Sequence, residues 1–259
     1  MLQVDSPVRA ATHRRLSVSL AASRWEVLEA QRLRFKIFAE EMGARLPSRD
    51  LGLDRDRYDS HCEHLLVREE DTGEVIGTYR ILTSDQAEHA GGFYSEEEFD
   101  LARLKHLRAR MVEVGRSCVH PDHRNGATIA LLWSGLARLI LSRGYEYVIG
   151  CASMSMGDGG NSAASIYNAV RQIAMSPNEY RVFPRHRLPL EAFDASAPAM
   201  VPPLIKGYVR LGAYVCGEPA WDPDFNTADL LVLLPLSRID KRYARHFLKD
   251  ERSSGGVLP

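Results

Sequence analysis

The run from Met111 to Leu132 restricts this chain more than any other. A β-prone stretch, Met111-Val-Glu-Val-Gly-Arg-Ser-Cys-Val-His120, breaks at Pro121. It passes through His123-Arg-Asn-Gly-Ala-Thr128 and enters an apolar helix expected over residues 129–141. A strand that turns through glycine into a helix aims backbone N–H groups at one spot. That geometry suits a phosphate or pyrophosphate. Glu113, on the same strand, is placed to act as a base beside it.

Composition narrows the rest. With 259 residues, 45% of them hydrophobic and 26% charged, the chain buries a real core and is long enough for one large domain or two small ones. A net charge of -1 gives no global reason to expect nucleic acid as a partner. Charge is uneven locally. Acids gather at Asp85, Glu88, Glu96, Glu97, Glu98 and Asp100, and bases follow at Arg103, Lys105, Arg108 and Arg110. This reads either as a mixed solvated surface or as a docking face for an acidic partner or anionic membrane.

Cys62, Cys118, Cys151 and Cys216 have no CxxC spacing, so a reduced, cytoplasmic setting is expected and a zinc site is not. His61, His64, His120 and His123 lack a metalloprotease-like helical spacing, and no metal is expected there. No apolar run approaches a membrane span and no signal peptide is read. Membrane contact, if any, is expected to be peripheral, at the inner face.

Along the chain, residues 1–22 read as an arm that carries a first strand near 16–21. Ser23 caps a helix to about Met42, with Glu26 as its capping-box partner and Gly43 as its stop. A loop rich in Asp and Arg follows, then a hairpin of strands near 64–68 and 74–83. After the 110–120 strand and its helix come a strand near 145–153 and a helix near 161–175. Segments 207–212 and 228–236 read as late strand or helix-to-strand elements. Ser237 is expected to cap a basic final helix, with a tail over 251–259. Hairpins mixed with crossover helices predict an α/β fold: a single mixed, largely antiparallel sheet with helices on both faces.

The segment from Glu113 to Ala127 with its helix resembles the acyl-donor motif of the GCN5-related N-acetyltransferase (GNAT) fold, in a shortened form. Arg34-x-x-x-Phe38, Asp56-x-Tyr58-Asp59, Gly77-Thr-Tyr-Arg80 and Glu113-x-x-Arg116 occur in order and resemble the acyl-homoserine-lactone synthases, a branch of that fold. The C-terminal part is similar to the ornithine N-acyltransferase family. It carries Lys206-Gly-Tyr-Val-Arg-Leu-Gly-Ala, Asp222-Pro-Asp-Phe-Asn-Thr-Ala-Asp229 and, earlier, Gly150-Cys-Ala-Ser153. The resemblance implies an acyltransferase domain over residues 23–250. It further implies transfer of a 3-hydroxyacyl chain from acyl carrier protein to the α-amine of ornithine. The 4'-phosphopantetheine arm would be the donor and no separate cofactor would be needed.

The residues carry roles on that scheme. An α-amine has a pKa near 8, so a base must remove a proton before it attacks a thioester. Glu113, desolvated among apolar neighbours, is the candidate; otherwise it pairs with Arg116. Residues three apart on a strand face opposite sides unless a bulge intervenes, and Gly115 is the expected bulge. Such a bulge would free an N–H for the developing oxyanion. Arg116 and Arg80 would hold either Asp56 and Asp59 or the substrate carboxylate. Asp56 and Asp59 are candidates for the ammonium of a cationic amino acid, and Arg34 for closing the donor cleft. Val119, His120, Arg124, Asn125, Gly126 and Ala127 are the expected donor contacts. Tyr167 is either a leaving-group acid or a core aromatic.

Three rivals remain. Another amine on the same scaffold includes lactone synthesis, against which the C-terminal extension argues. The shortened glycine turn argues against plain acetyl-coenzyme A chemistry. A lipid- or carrier-binding sensor would not require Glu113 and Arg116.

Overall fold

Helix and strand starts follow local chemistry. The computed structural model describes residues 15–124, 126–196 and 198–239. Strand β1 (Leu16–Leu20) is followed by helix α1 (Arg24–Phe35). Ser23 Oγ accepts from the Glu26 N–H at 3.3 Å, and Glu26 Oε2 accepts from the Ala22 N–H at 2.7 Å, a shifted capping box. The helix widens into a π-helical turn, Lys36–Glu41, and stops at Gly43, whose φ of 79° is the left-handed region.

Strands β2 (Glu63–Glu69) and β3 (Val75–Thr83) form the expected hairpin. Two short helices, α2 (Ser84–Ala90) and α3 (Ser95–Glu98), occupy the acidic segment. A two-residue strand β4 (Phe99–Asp100) and a 3-10 stretch lead to β5 (Met111–Val119). The glycine turn then opens α4 (Gly126–Ser142), followed by β6 (Tyr147–Ser155) and α5 (Asn161–Ala174). The C-terminal part supplies β7 (Phe183–Pro184), α6 (Pro203–Arg210), β8 (Tyr214–Val215), β9 (Ala220–Asp222) and β10 (Thr227–Pro235).

The main sheet runs β1-β2-β3-β5-β6-β10-β8, with β9 also on β10. Every pair is antiparallel except β5–β6. β3 and β10 are buried almost throughout, as expected for strands covered on both faces. Leu65 and Val67 pack with Leu132 and Ile140 of α4, whereas Leu66 packs with Ala30 and Leu33 of α1. The two helices therefore lie on opposite faces, because side chains alternate along β2. This is the expected mixed sheet.

The strand expected near 16–21 is β1, at the edge of the sheet. Residues 207–212 end helix α6 and lead to β8, the helix-to-strand alternative of the two expected. β8 and β9 are too short to leave a periodic signal. The basic helix expected after Ser237 falls on residues outside those described; the last described element is a 3-10 turn, Leu236–Arg238.

The parallel β5–β6 ladder holds only Met111↔Tyr147, Val112↔Val148 and Glu113↔Ile149. Beyond it the strands diverge over Gly150, where an added Cβ would sit 2.3 Å from the Val114 carbonyl oxygen. That contact is backbone and cannot swing aside. Gly150→Ala should therefore destabilise the fold by about 1–3 kcal/mol, read as a lower urea midpoint with unchanged m-value.

Candidate active site

The site begins with an irregularity in β5. Thr78 pairs with Cys118 and Arg80 with Gly115, so Arg116 and Ser117 stand together opposite Tyr79. This is the bulge that the Glu113/Arg116 spacing required, but the left-handed residue is Arg116, φ 49°, and not Gly115. A non-glycine residue there costs about 1–2 kcal/mol, which its contacts offset. The guanidinium lies 4.8 Å from the Tyr94 ring centre and 4.4 Å from that of Phe225. Its Nε is 3.4 Å from Asp54 Oδ2 and its Nη2 3.5 Å from Asp56 Oδ2. The bulge turns Glu113 and Arg116 into the same cavity.

Three arginines and three aspartates form a buried lattice behind that cavity. Arg34, fully buried on α1, donates from Nε to Asp54 Oδ2 at 2.9 Å and from Nη2 to Asp59 Oδ1 at 2.7 Å. Arg80 donates from Nη1 to Asp56 Oδ2 at 2.7 Å and lies 3.5 Å from Asp59 Oδ2. Asp59 Oδ2 also accepts from the Asp56 N–H at 2.8 Å. Of the two roles open to the arginines, holding the loop acids is the one the geometry displays. Asp56 and Asp59 are thereby engaged, and neither lines the central cavity. Arg34 is likewise committed to the lattice. Asp54, an essential member, carried no motif in the sequence.

Burial pulls the Asp59 carboxyl upward, but the Arg34 and Arg80 guanidiniums and the Asp56 N–H overcome it and hold it at about 2. Burial, with the Arg34 charge nearby, lowers His64, whose Nε2 faces the Asp59 carbonyl at 3.2 Å.

Glu113 is buried and fully oriented. Oε1 accepts from the Ser95 N–H at 2.8 Å and from the Ser95 hydroxyl; Oε2 accepts from the Tyr94 N–H at 2.6 Å. Burial raises its pKa, against these hydrogen bonds and the Arg80 charge. One lone pair of Oε2 stays unused, so Glu113 can take a proton at that atom or through a water. Glu113 makes no pair with Arg116; it fixes the Tyr94–Ser95 turn on which Arg116 stacks.

At the other end, Val119, Arg124 and Gly126 line the cavity. Arg124 holds Glu41 through two 2.7 Å hydrogen bonds, so an incoming phosphate would compete with that carboxylate. His120 is turned toward Lys36, Nε2 to Nζ 2.6 Å, and does not line the cavity. Ala127 is exposed in the first turn of α4, where the leading N–H groups have no intrahelical partner. Asn125 lies outside the described residues.

The cavity, about 630 Å³, passes from this turn along Phe38, Ile129, Trp133 and Tyr208 to a polar end. There the structure adds residues that were not assigned from sequence: Tyr94, Cys151, Ser153, Asp222, Thr227 and Asp229. Glu98 lies beside them, and its carboxylate, the Cys151 thiol and the Asp229 carboxylate all fall within 4.8 Å of one another. Burial, then the nearby Asp229 and Asp222 charges, keep the Glu98 carboxyl well above its usual range; burial raises Asp229 too. An acid inside the apolar run Ala228–Leu234 was the signal for Asp229. Tyr167 packs in the α5 core and does not line the cavity.

An opened sheet with a glycine turn into a helix on one side and a charged pocket on the other is the framework of an acyltransferase of the GNAT fold. Comparisons agree. Residues 33–134 match the acetyltransferase (GNAT) domain family. The L-ornithine N(alpha)-acyltransferase of Brucella abortus (strain 2308) is 36% identical, covering 90% of this chain and 88% of that protein. The enzyme of the same name from Rhizobium meliloti (strain 1021) is 37% identical over 91% and 85%. Among solved structures, MesI, a CoA-dependent acyl-homoserine lactone synthase, superposes with TM-score 0.52 at 14% identity, over 93% of this chain and 98% of that one. The chain belongs to the L-ornithine N(alpha)-acyltransferase family. Among the described residues no helix is long and apolar enough to cross a membrane.

A carboxyl held near 2 when folded, against an ordinary 3.8, stabilises the fold above pH 3.8 and loses that contribution as pH falls through 2. Asp59→Asn should therefore cost about 3–5 kcal/mol at pH 7, because Arg34 loses a buried partner. In urea denaturation the wild-type and variant stabilities should converge as pH falls from 4 toward 2.

Proposed function

We propose that the chain moves a 3-hydroxyacyl group from the phosphopantetheine arm of acyl carrier protein to the α-amine of L-ornithine, giving lyso-ornithine lipid. The supporting observation is the bulge at Arg116. It brings a base and a cation to one cavity, which continues past the β5–β6 divergence to the donor turn. The apolar middle takes the acyl chain, and the free N–H groups at the start of α4 take the pantetheine phosphate, with Arg124 exchanging Glu41 for it.

In the reaction the neutral amine attacks the thioester carbon. The C–S bond breaks, the thiolate leaves, and the amine proton passes to Glu113 Oε2 directly or through a water. Arg116, sandwiched between Tyr94 and Phe225, meets the substrate carboxylate. Backbone N–H groups that the bulge and the divergence release from the β5 ladder face the developing oxyanion.

Purified protein with 3-hydroxypalmitoyl carrier protein and ornithine should give the N-acyl product by mass spectrometry. Glu113→Gln should lower kcat by about 10²–10⁴ with the KM for carrier protein little changed and folding confirmed by thermal melting. Unchanged turnover would remove Glu113 from proton transfer. Arg124→Glu should raise that KM at least about tenfold; an unaltered value would move the donor elsewhere.

A further inference from the structure

Near the polar end of the cavity are two buried carboxyl groups that no arginine, lysine or histidine pairs among the described residues. Arg34, Arg80 and Arg116 are matched by Asp54, Asp56 and Asp59. Glu113 is satisfied by the Tyr94–Ser95 turn, and Asp222 Oδ1 by the N–H groups of Asp224 and Phe225. Glu98 and Asp229 are left over. Both are more than nine-tenths buried. Among the described residues, both Glu98 oxygens and Asp229 Oδ1 lack a well-formed hydrogen bond. So does Thr227 Oγ1, on a side chain 3% exposed that lines the same cavity. Tyr94 interacts with Glu98, and Ser153 and Thr227 with Asp229, but no cation among the described residues pairs either carboxyl, and a buried acid pair so weakly bonded gains from a ligand that donates to it.

We propose that Glu98 and Asp229, with Thr227 Oγ1 as a further acceptor, form the subsite for the side-chain ammonium of the amino-acid substrate and set its selectivity for a diamino acid. This rests on the acyl-transfer reading above and names its specificity residues. A primary ammonium has three N–H donors and one positive charge. Two carboxyl groups and one hydroxyl match that donor count, and among the described residues Arg116, which shares the cavity, is paired with Asp54 and Asp56 and not with Glu98 or Asp229. The same cavity presents Arg116 for the α-carboxylate. A substrate held at both ends has its α-amine fixed between them, near Glu113. The loop acids Asp56 and Asp59 do not serve this purpose, because the arginines already occupy them. The cluster also has the makings of a metal site, with Cys151 as third ligand. Burial keeps the Cys151 thiol protonated, which disfavours that use.

Ornithine and norvaline, which share a carbon chain but differ in the terminal nitrogen, separate the outcomes. Wild type should favour ornithine in kcat/KM by at least about 100-fold. Glu98→Gln and Asp229→Asn should each cut that ratio below about tenfold; if one variant fails to fold, the other carries the test. A ratio unchanged in the folded variants, or no preference in wild type, overturns the proposal. So does stoichiometric zinc in the purified wild type that is lost in Cys151→Ser. Calorimetric titration of ornithine and norvaline without donor tests the subsite apart from turnover. Selective ornithine binding without acyl product sinks the transfer reading and leaves the subsite standing. Acyl transfer at equal rates to both amines does the reverse.

Discussion

Three residues of parallel pairing between β5 and β6 are the constraint on which the site depends. Had the ladder continued, the backbone groups of β5 past Glu113 would be consumed by β6 and no cavity would open in the sheet. The divergence leaves both strands lining the space, with Val114–Ser117 on one side and Cys151 and Ser153 on the other. Gly150 allows the closest approach just where the strands begin to part. The gap is stable because each strand keeps its antiparallel partner, β3 for β5 and β10 for β6.

The bulge in β5 works together with the arginine–aspartate lattice. A left-handed arginine inside a strand persists only where its surroundings over-determine it. Here two aspartates and two aromatic rings do so, and those groups come from the 54–59 loop, the Tyr94 turn and the β9–β10 turn. These contacts therefore tie three separate parts of the chain to one side chain. Buried ion pairs of this kind add little net stability over apolar packing, but removing one partner is severe. They fix geometry at the site more than they strengthen the fold.

Much of this was legible in the sequence. The 113–116 spacing demanded a bulge, the Ser23–Glu26 pair marked a helix start, and the shortened glycine turn opened α4. The misplacements have physical causes. Gly115 was the natural bulge residue by intrinsic preference, yet Arg116 takes the left-handed conformation because tertiary contacts outweigh a local cost of one or two kcal/mol. Asp56 and Asp59 were left between the arginines and a substrate ammonium, since a sequence shows residue types but not which cations reach them.

By itself the sequence determined the elements whose signals are local: alternation in the strands, caps and glycine stops, and the order of charged motifs that placed the chain in its family. Local signals survive because they arise from neighbours within a few residues. Only the tertiary structure decided which charges cancel. Asp54 joins Arg34 and Arg116, Glu113 turns to the Tyr94–Ser95 backbone, and Glu98 meets Asp229 without a cation between them. Those pairings join strands and loops far apart in the chain, so no periodicity or spacing could encode them. Burial then gives them their force, because a charge removed from water must find a partner or await one.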